Sequence, residues 1–470
     1  MPMPPVGSAT NPLRVAIVGA GPAGFYVAEH LLKAKNLAVE IDMFDRLPTP
    51  FGLVRAGVAP DHAKIKSVTK VYDRDAQSLH FRFYGYVEFG KDICLADLKA
   101  YYHQICFSTG AQTDRNLDIP GEELIGSHAA TEFVAWYNGH PDYRDCQFDL
   151  SQERVAVIGV GNVAIDVARI LCRAPEELIA TDIADHALAA LRQSKVKEVY
   201  LIGRRGPAQA AFTNPEIKEL GELADADVSV PPAEAELDPL SQADLEKNPD
   251  PLTLKKVQLI QQYAGRPPTG KSRRLIMRFL LSPVEFSGDE RGRISAMRLV
   301  RNKLYATEAG SLRPKPTDHY ETRPVGLVFR SVGYRGVSLP DIPFNENWGV
   351  ILNERGRILE VETRHPLTGL YTSGWIKRGP SGVIGTNKPD AAETVDCMLY
   401  DLGQGAVLSP AYPDPAAAEK FIRQRQPYFV TYADWLRLDE IERAKGEEQG
   451  RPRLKFTRIK EMLAALGREV

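Results

Sequence analysis

Residues 14–33 read RVAIVGAGPAGFYVAEHLLK. Val15 to Val18 is a short apolar run, suited to a strand buried on both faces. It enters Gly19-Ala20-Gly21-Pro22-Ala23-Gly24, after which apolar residues fall at helical spacing: Tyr26, Val27 and Leu31, with Ala23 and Ala28 on neighbouring faces. A second apolar run, VEIDMFD, ends at Asp45. Strand, glycine turn, helix and strand in this order make a dinucleotide-binding unit. Gly19 allows the tight turn, Gly21 lets backbone approach a pyrophosphate, and Gly24 lets helix and strand pack closely. The helix N-terminus offers N–H groups and the positive end of its dipole to the phosphates. Asp45, about twenty residues beyond the glycines, stands where a carboxylate accepts hydrogen bonds from a ribose. An adenine dinucleotide is the expected ligand.

The pattern returns at residues 154–172, RVAVIGVGNVAIDVARILC. An apolar strand runs into Gly159-Val160-Gly161-Asn162-Val163-Ala164, and apolar residues then repeat at 163, 167 and 171 and at 164 and 168. One chain therefore carries two nucleotide folds. The next strand, VKEVYLIGRRGP, ends in Arg204 and Arg205 where the first unit ends in Asp45. A carboxylate there repels a 2′-phosphate, whereas two guanidiniums bind one, with bidentate geometry available. The first site suits FAD or NAD and the second suits NADPH; the alternative for the two arginines is a solvated strand end. Residues 176–194 read as an extra helix that delays this strand. An FAD fold and an NADPH fold in one chain serve hydride transfer from nicotinamide to flavin, with the protein aligning the rings.

The bulk properties agree. A chain of 470 residues with 43% hydrophobic composition is too long for one core and suits two or three domains. No apolar run reaches transmembrane length, and the start, MPMPPVGSATNPL, lacks the charge and apolar stretch of a secretory signal. A soluble, cytoplasmic protein is expected, as a monomer or weak dimer. The cysteines, Cys94, Cys106, Cys146, Cys172 and Cys397, contain no CxxC, which argues against a disulfide framework, a metal site, a redox-active thiol pair or a cluster of the chain's own. The net charge of −2 and the lack of a binding motif argue against nucleic acid. Within that balance, residues 222–250 are acidic, and Lys255, Lys256, Arg266, Lys271, Arg273, Arg274 and Arg278 follow. Separated charge of this kind can orient a charged partner.

In the last third, VGLVFRSVGYRGVS at residues 325–338 holds a strand and a glycine turn. Residues 369–396 read GLYTSGWIKRGPSGVIGTNKPDAAETVD: a strand from Leu370 to Ser373, a Gly-Trp turn, a glycine-rich loop and a helix from about Pro389. Such a loop near a helix N-terminus can meet the polar edge of a flavin, with Trp375 stacked on the ring or beside it.

FGLVRAGVAPDHAKIKSV at residues 51–68 and SGWIKRGPSGVIGTNK at 373–388 resemble the adrenodoxin reductase family of ferredoxin–NADP⁺ reductases. So do GVGNVAIDVARIL and GRRGPAQAAFTNPEIKEL, and the tail from Pro427 to Leu463 is similar to the bacterial members. The resemblance runs from about residue 13 to residue 460. It implies an α/β, glutathione-reductase-like fold of two Rossmann-like domains, with the NADP domain inserted in a split FAD domain. The expected bounds are residues 1–112 for the first FAD part, 113–328 for the NADP domain, and 329–470 for the second FAD part with a C-terminal extension. It matches Gly19, Gly21, Pro22, Ala23, Gly24, Asp45, Arg46, Gly52, Leu53, Phe89, Trp375, Gly382, Val383 and Ile384 to FAD-contacting positions. Gly161, Asn162, Val163, Ala164, Arg204, Arg205 and Glu216 match NADP-contacting ones. Asp45 stands where mitochondrial members have Glu, and Phe89 replaces a smaller aliphatic residue.

The implied activity is that of an FAD-dependent NADPH:ferredoxin oxidoreductase, passing a hydride from NADPH to FAD and then single electrons to a ferredoxin-type iron–sulfur protein. His62 and Glu216 are the polar residues expected near the rings, where they position nicotinamide or exchange protons. Ferredoxins are commonly acidic, so Lys255, Lys256, Arg273 and Arg274 are candidate docking residues, with a solvated helix face as the alternative. Two other readings remain open at this level. A flavin subunit feeding a larger synthase usually brings cysteine-ligated clusters. A non-catalytic FAD or NADP(H) sensor would not need both fingerprints and the flavin-edge loop, and would not turn over with an artificial acceptor.

Overall fold

The computed structural model describes residues 4–469. The chain forms two compact units. One gathers Met1–Val58, His62–Thr113 and Tyr334–Val470, and the other gathers Ala59–Asp61 and Asp114–Gly333. The first is thus interrupted in sequence by the second.

A seven-stranded sheet centres the first unit, in the order Asn353–Glu354, Arg357–Leu359, Pro366–Thr372, Gln104–Phe107, Leu13–Val18, Val39–Asp45, Phe81–Gly85. Leu13–Val18 pairs in parallel with Val39–Asp45 on one side and Gln104–Phe107 on the other. All six of its residues are buried: Val15–Val18 as an apolar run requires, and Arg14 through its ion pair with Asp42 at 2.7 Å. The helix Pro22–Leu32 packs on the long helix Asn387–Gly403. Three C-terminal helices follow, Pro415–Arg425, Tyr432–Glu447 and Ile459–Ala465. Trp435 and Leu438 from the middle one enter the same apolar cluster as Phe25, Phe51 and Tyr72.

The second unit has a six-stranded parallel sheet in the order Ser127–Ala129, Leu327–Arg330, Arg154–Ile158, Glu198–Ile202, Arg273–Arg278, Ala226–Ser229. The single extra helix expected over 176–194 is two helices, Pro175–Ile179 and Asp185–Arg192. Thr181 separates them: its Oγ1 donates to the Leu178 carbonyl and accepts the Ile183 N–H, so the side chain competes with the helix backbone. The unit also carries a three-stranded antiparallel sheet, Leu281–Gly288, Ile294–Ala306 and Leu312–Pro324. Its last strand is LRPKPTDHYETRP. Pro314, Pro316 and Pro324 are tolerated because the strand lies at the sheet edge. Among the described residues no helix is long and apolar enough to cross a membrane.

Candidate functional site: two glycine turns

The two fingerprints fold alike, and each separates glycines the chain needs from one it does not. Gly19 has φ +109°, and a Cβ on it would stand 2.5 Å from the Ser108 carbonyl oxygen. A Cβ on Gly24 would stand 2.2 Å from the Gly19 oxygen. In the second unit a Cβ on Gly159 would stand 2.1 Å from the Ser331 oxygen. Gly21 and Gly161 differ: a Cβ on either meets nothing within 4 Å. Both cap a helix N-terminus without a side-chain cap. Space before a glycine and uncapped N–H groups fit a pyrophosphate at both turns.

In the first unit, two further segments converge on that turn. Phe51 and Gly52 have φ of +82° and +47°, and the Phe51 N–H donates to the Ala20 carbonyl at 2.7 Å. A Cβ on Gly52 would meet the Gly21 Cα at 3.1 Å, and one on Gly374 would meet the Ala23 Cβ at 2.5 Å. Leu53, beside Gly52, is exposed. Asp45 faces back into the loop: one carboxylate oxygen accepts the Ala20 N–H and the other the Leu47 N–H, each at 2.9 Å. Burial pushes the Asp45 carboxyl up, against the lowering by these two donors. Each oxygen can accept a further bond, so Asp45 both closes the turn and keeps capacity for a ribose. Arg46 follows it. The Val87 N–H donates to the Asp45 carbonyl at 2.9 Å, which brings the strand end before Phe89 alongside. The Phe89 ring packs edge-on against Phe107 at 5.2 Å.

The Gly-Trp turn is held by a residue that motif reading passed over. Asp390 Oδ2 accepts the Gly374 N–H at 2.6 Å and the Ser373 hydroxyl at 3.2 Å. The buried Lys377 ammonium lies 3.1 Å from the other oxygen of Asp390 and 2.9 Å from Glu393. The only local signal was an acid in the first turn of a helix. Trp375 Nε1 donates to the Ser381 carbonyl at 3.2 Å, closing the loop that carries Gly382, Val383 and Ile384. Gly382 has φ +78°, and Val383 is 52% exposed. His62 precedes the short helix Ala63–Lys66 in this unit.

In the second unit, Asn162 Oδ1 accepts the Thr213 N–H at 2.9 Å, and the Val160 carbonyl accepts Ala211 and Phe212. These bonds bind the glycine turn to the loop before helix Asn214–Leu220, which carries Glu216. Val163 and the buried Ala164 start the helix after the turn. Glu216 Oε2 lies 3.1 Å from Nη1 of Arg169, a fully buried arginine that also holds Asp61 at 2.8 Å and Asp166 at 2.7 Å. Burial opposes the Arg169 charge, but these carboxylates keep it protonated. Sequence reading missed Arg169, an arginine at a helical core position.

Arg204 and Arg205 follow the strand Glu198–Ile202. Among the described residues neither guanidinium has a carboxylate partner. Burial first, then Arg204 and Arg313, push the Arg205 guanidinium down. Cations gathered without a carboxylate fit a phosphate dianion. The four basic residues expected at a docking face are mostly engaged. Lys256 Nζ donates to the Ala210 carbonyl, Arg274 pairs with Glu198, and Arg273 reaches the carbonyls of Val196 and Arg173. Lys255 is exposed. All five cysteines are free.

Two dinucleotide units with open glycine turns define a pyridine-nucleotide-dependent flavin oxidoreductase, and residues 13–217 match the family model "Pyridine nucleotide-disulphide oxidoreductase". The chain is 45% identical to NADPH-ferredoxin reductase FprA of Mycobacterium tuberculosis over 462 residues, covering 96% of this chain and 99% of that one. It is 40% identical to the human mitochondrial NADPH:adrenodoxin oxidoreductase over 467 residues, covering 97% and 92%. The structure of M. tuberculosis FprA in complex with NADPH aligns with a TM-score of 0.92 at 44% identity, covering 97% of this chain and 100% of that one. The chain belongs to the adrenodoxin reductase family of NADPH–ferredoxin reductases. It is an FAD-dependent oxidoreductase that uses NADP(H).

Proposed function

We propose that the first unit holds FAD and the second NADP(H), that the expected domain bounds 1–112, 113–328 and 329–470 mark the FAD and NADP(H) parts to within a few residues of the units' own breaks after Thr113 and Gly333, and that electrons pass from NADPH to a ferredoxin-type iron–sulfur protein. One observation carries the assignment of the sites. Both glycine turns are open at their second glycine, but one is backed by Asp45 and the other by Arg204 and Arg205, which have no carboxylate partner among the described residues. Bound FAD supplies the exchange between a hydride and single electrons.

The chain's own residues bind and orient. Gly19, Gly21, Pro22, Ala23 and Gly24 receive the FAD pyrophosphate, Asp45 and Arg46 the adenosine side, and Phe89 lines it. Gly52 and Leu53 cover the turn, and Trp375 with Gly382, Val383 and Ile384 holds the flavin edge. Gly161, Asn162, Val163 and Ala164 receive the NADP(H) pyrophosphate, and Arg204 and Arg205 its 2′-phosphate. His62 and Glu216 are assigned beside the reacting rings, Glu216 with its carboxylate fixed by Arg169. The partner docks through basic surface, and of the four residues named for it Lys255 is the one presented to solvent. The protein works in the cytoplasm as a monomer or weak dimer.

Anaerobic titration tests the assignment. NADPH is expected to bleach the flavin band at far lower concentration than NADH, and oxidised ferredoxin to restore it. A purified protein without flavin absorbance, or a flavin that NADPH leaves oxidised, would overturn it.

A further inference from the structure

The Arg204–Arg205 turn is bound to the three-stranded sheet by its main chain. Asn302, 2% exposed on the strand Ile294–Ala306, donates from Nδ2 to the Arg204 carbonyl at 2.9 Å and to Ser282 Oγ at 2.9 Å. A carbonyl only accepts, so the amide nitrogen must face it. The Leu280 N–H donates to the Arg205 carbonyl at 3.1 Å, and the Asn302 N–H returns to the Leu280 carbonyl at 2.8 Å. Leu280 holds φ +56°, unusual for a non-glycine. The strand pairing slips between Val300 and Asn302, a bulge of the kind that re-aims a side chain.

These bonds decide which way two peptides face. In a trans peptide the N–H points opposite to the carbonyl. With the Arg204 and Arg205 carbonyls turned toward the sheet, the N–H groups of Arg205 and Gly206 turn away from it. Among the described residues neither N–H donates to another group. Two successive N–H groups without an acceptor, beside two guanidiniums without a carboxylate among the described residues, suit an anion.

We propose that Asn302 is a specificity-determining positioning residue: by anchoring the Arg204 carbonyl it aims this turn's N–H groups and guanidiniums at the 2′-phosphate of NADPH. The proposal rests on reading Arg204 and Arg205 as the phosphate-binding pair. It places part of the coenzyme preference in a sheet outside the dinucleotide fold.

The test compares three variants of the FAD-loaded enzyme. Asn302→Leu keeps volume and removes the donor, Ser282→Ala spares the Arg204 bond, and the double variant Arg204→Ala/Arg205→Ala removes the charges. Steady-state kinetics with NADPH and NADH are paired with calorimetric binding of adenosine 2′,5′-bisphosphate and of AMP. Asn302→Leu is expected to raise KM for NADPH and Kd for the bisphosphate about tenfold, as for one lost buried hydrogen bond. KM for NADH, kcat and AMP binding should stay unchanged, and Ser282→Ala should match the parent. If the double variant loses the NADPH preference while Asn302→Leu keeps it, the proposal fails and the phosphate-site reading stands. If the double variant keeps the preference, that reading fails and the proposal with it. Equal losses toward both coenzymes would mark a merely structural asparagine and overturn the proposal. Should Asn302→Leu not fold, Asn302→Ser, too short to reach the carbonyl, is read by the same criteria.

Discussion

Gly374 lies so close to Ala23 that a Cβ on it would stand 2.5 Å from the alanine Cβ. Gly374→Ala should therefore damage the fold, since its φ of +83° and ψ of −150° also belong to glycine alone. The expected loss is about 2–3 kcal/mol, read by denaturant unfolding of the FAD-free protein. Gly21→Ala is the contrast. Its Cβ meets nothing within 4 Å, so stability without FAD should change by less than about 0.5 kcal/mol. FAD affinity, followed by quenching of flavin fluorescence, should fall by at least about tenfold. Unchanged affinity would remove the pyrophosphate from this turn.

Burial, then the Arg14 charge, push the His103 imidazole down to about 4. Its Nδ1 accepts the Arg14 N–H at 3.0 Å, a bond that protonation breaks. The unfolded imidazole titrates at about 6.5. Between these values the unfolded chain binds the extra proton, so stability is full above the higher and is lost as pH falls toward the lower. His103→Gln keeps an acceptor and does not titrate. It should reduce the stability lost between pH 7 and pH 5 by up to about 2 kcal/mol, measured by urea unfolding at both pH values.

Glu442 is fully buried, lies 2.8 Å from Nη1 of Arg55 and 3.2 Å from Nη1 of Arg453, and accepts the Phe456 N–H at 2.8 Å. Burial pushes its carboxyl up, but Arg55 and Arg453 outweigh this and hold it below the usual value. Its contribution is thus present at neutral pH and lost as pH falls through the lowered value. Arg55 follows Leu53 in the segment covering the first glycine turn, and its guanidinium lies 5.0 Å from the Trp435 ring centroid. Glu442→Ala should cost about 3 kcal/mol by denaturant unfolding, because it removes a fully buried carboxylate from the partly buried Arg55 and Arg453.

Lys255 and Lys256 should separate by phenotype. Lys255→Glu should raise KM for an acidic ferredoxin about two- to fivefold at low salt, with the effect shrinking as ionic strength rises. Lys256→Ala removes a donor to the Ala210 carbonyl and a cation 5.9 Å from the Phe212 ring centroid, so it should lower thermal stability instead. Stopped-flow reduction of ferredoxin in 20–300 mM salt, a range spanning long to short Debye lengths of about 20 to 6 Å, reads the first.

Residue types and short spacings alone determined the two dinucleotide units. Gly19, Gly21 and Gly24 meet a strand, a helix and Asp45 within one local unit, and the contrast between Asp45 and Arg204–Arg205 needs only the matching place in each repeat. The edge strand Leu312–Pro324 was not legible, because its prolines and polar residues follow no period. Nor were the residues that hold the sites. Asn302 reaches Arg204 across 98 positions and Glu442 reaches Arg55 across 387. Asp390 and Arg169 look like an ordinary helix acid and an ordinary helix arginine until the chain closes around them. A glycine turn is dictated by sterics between near neighbours, which spacing records. An anchoring hydrogen bond or buried ion pair joins groups that only the folded chain brings within reach, so tertiary structure alone decided it.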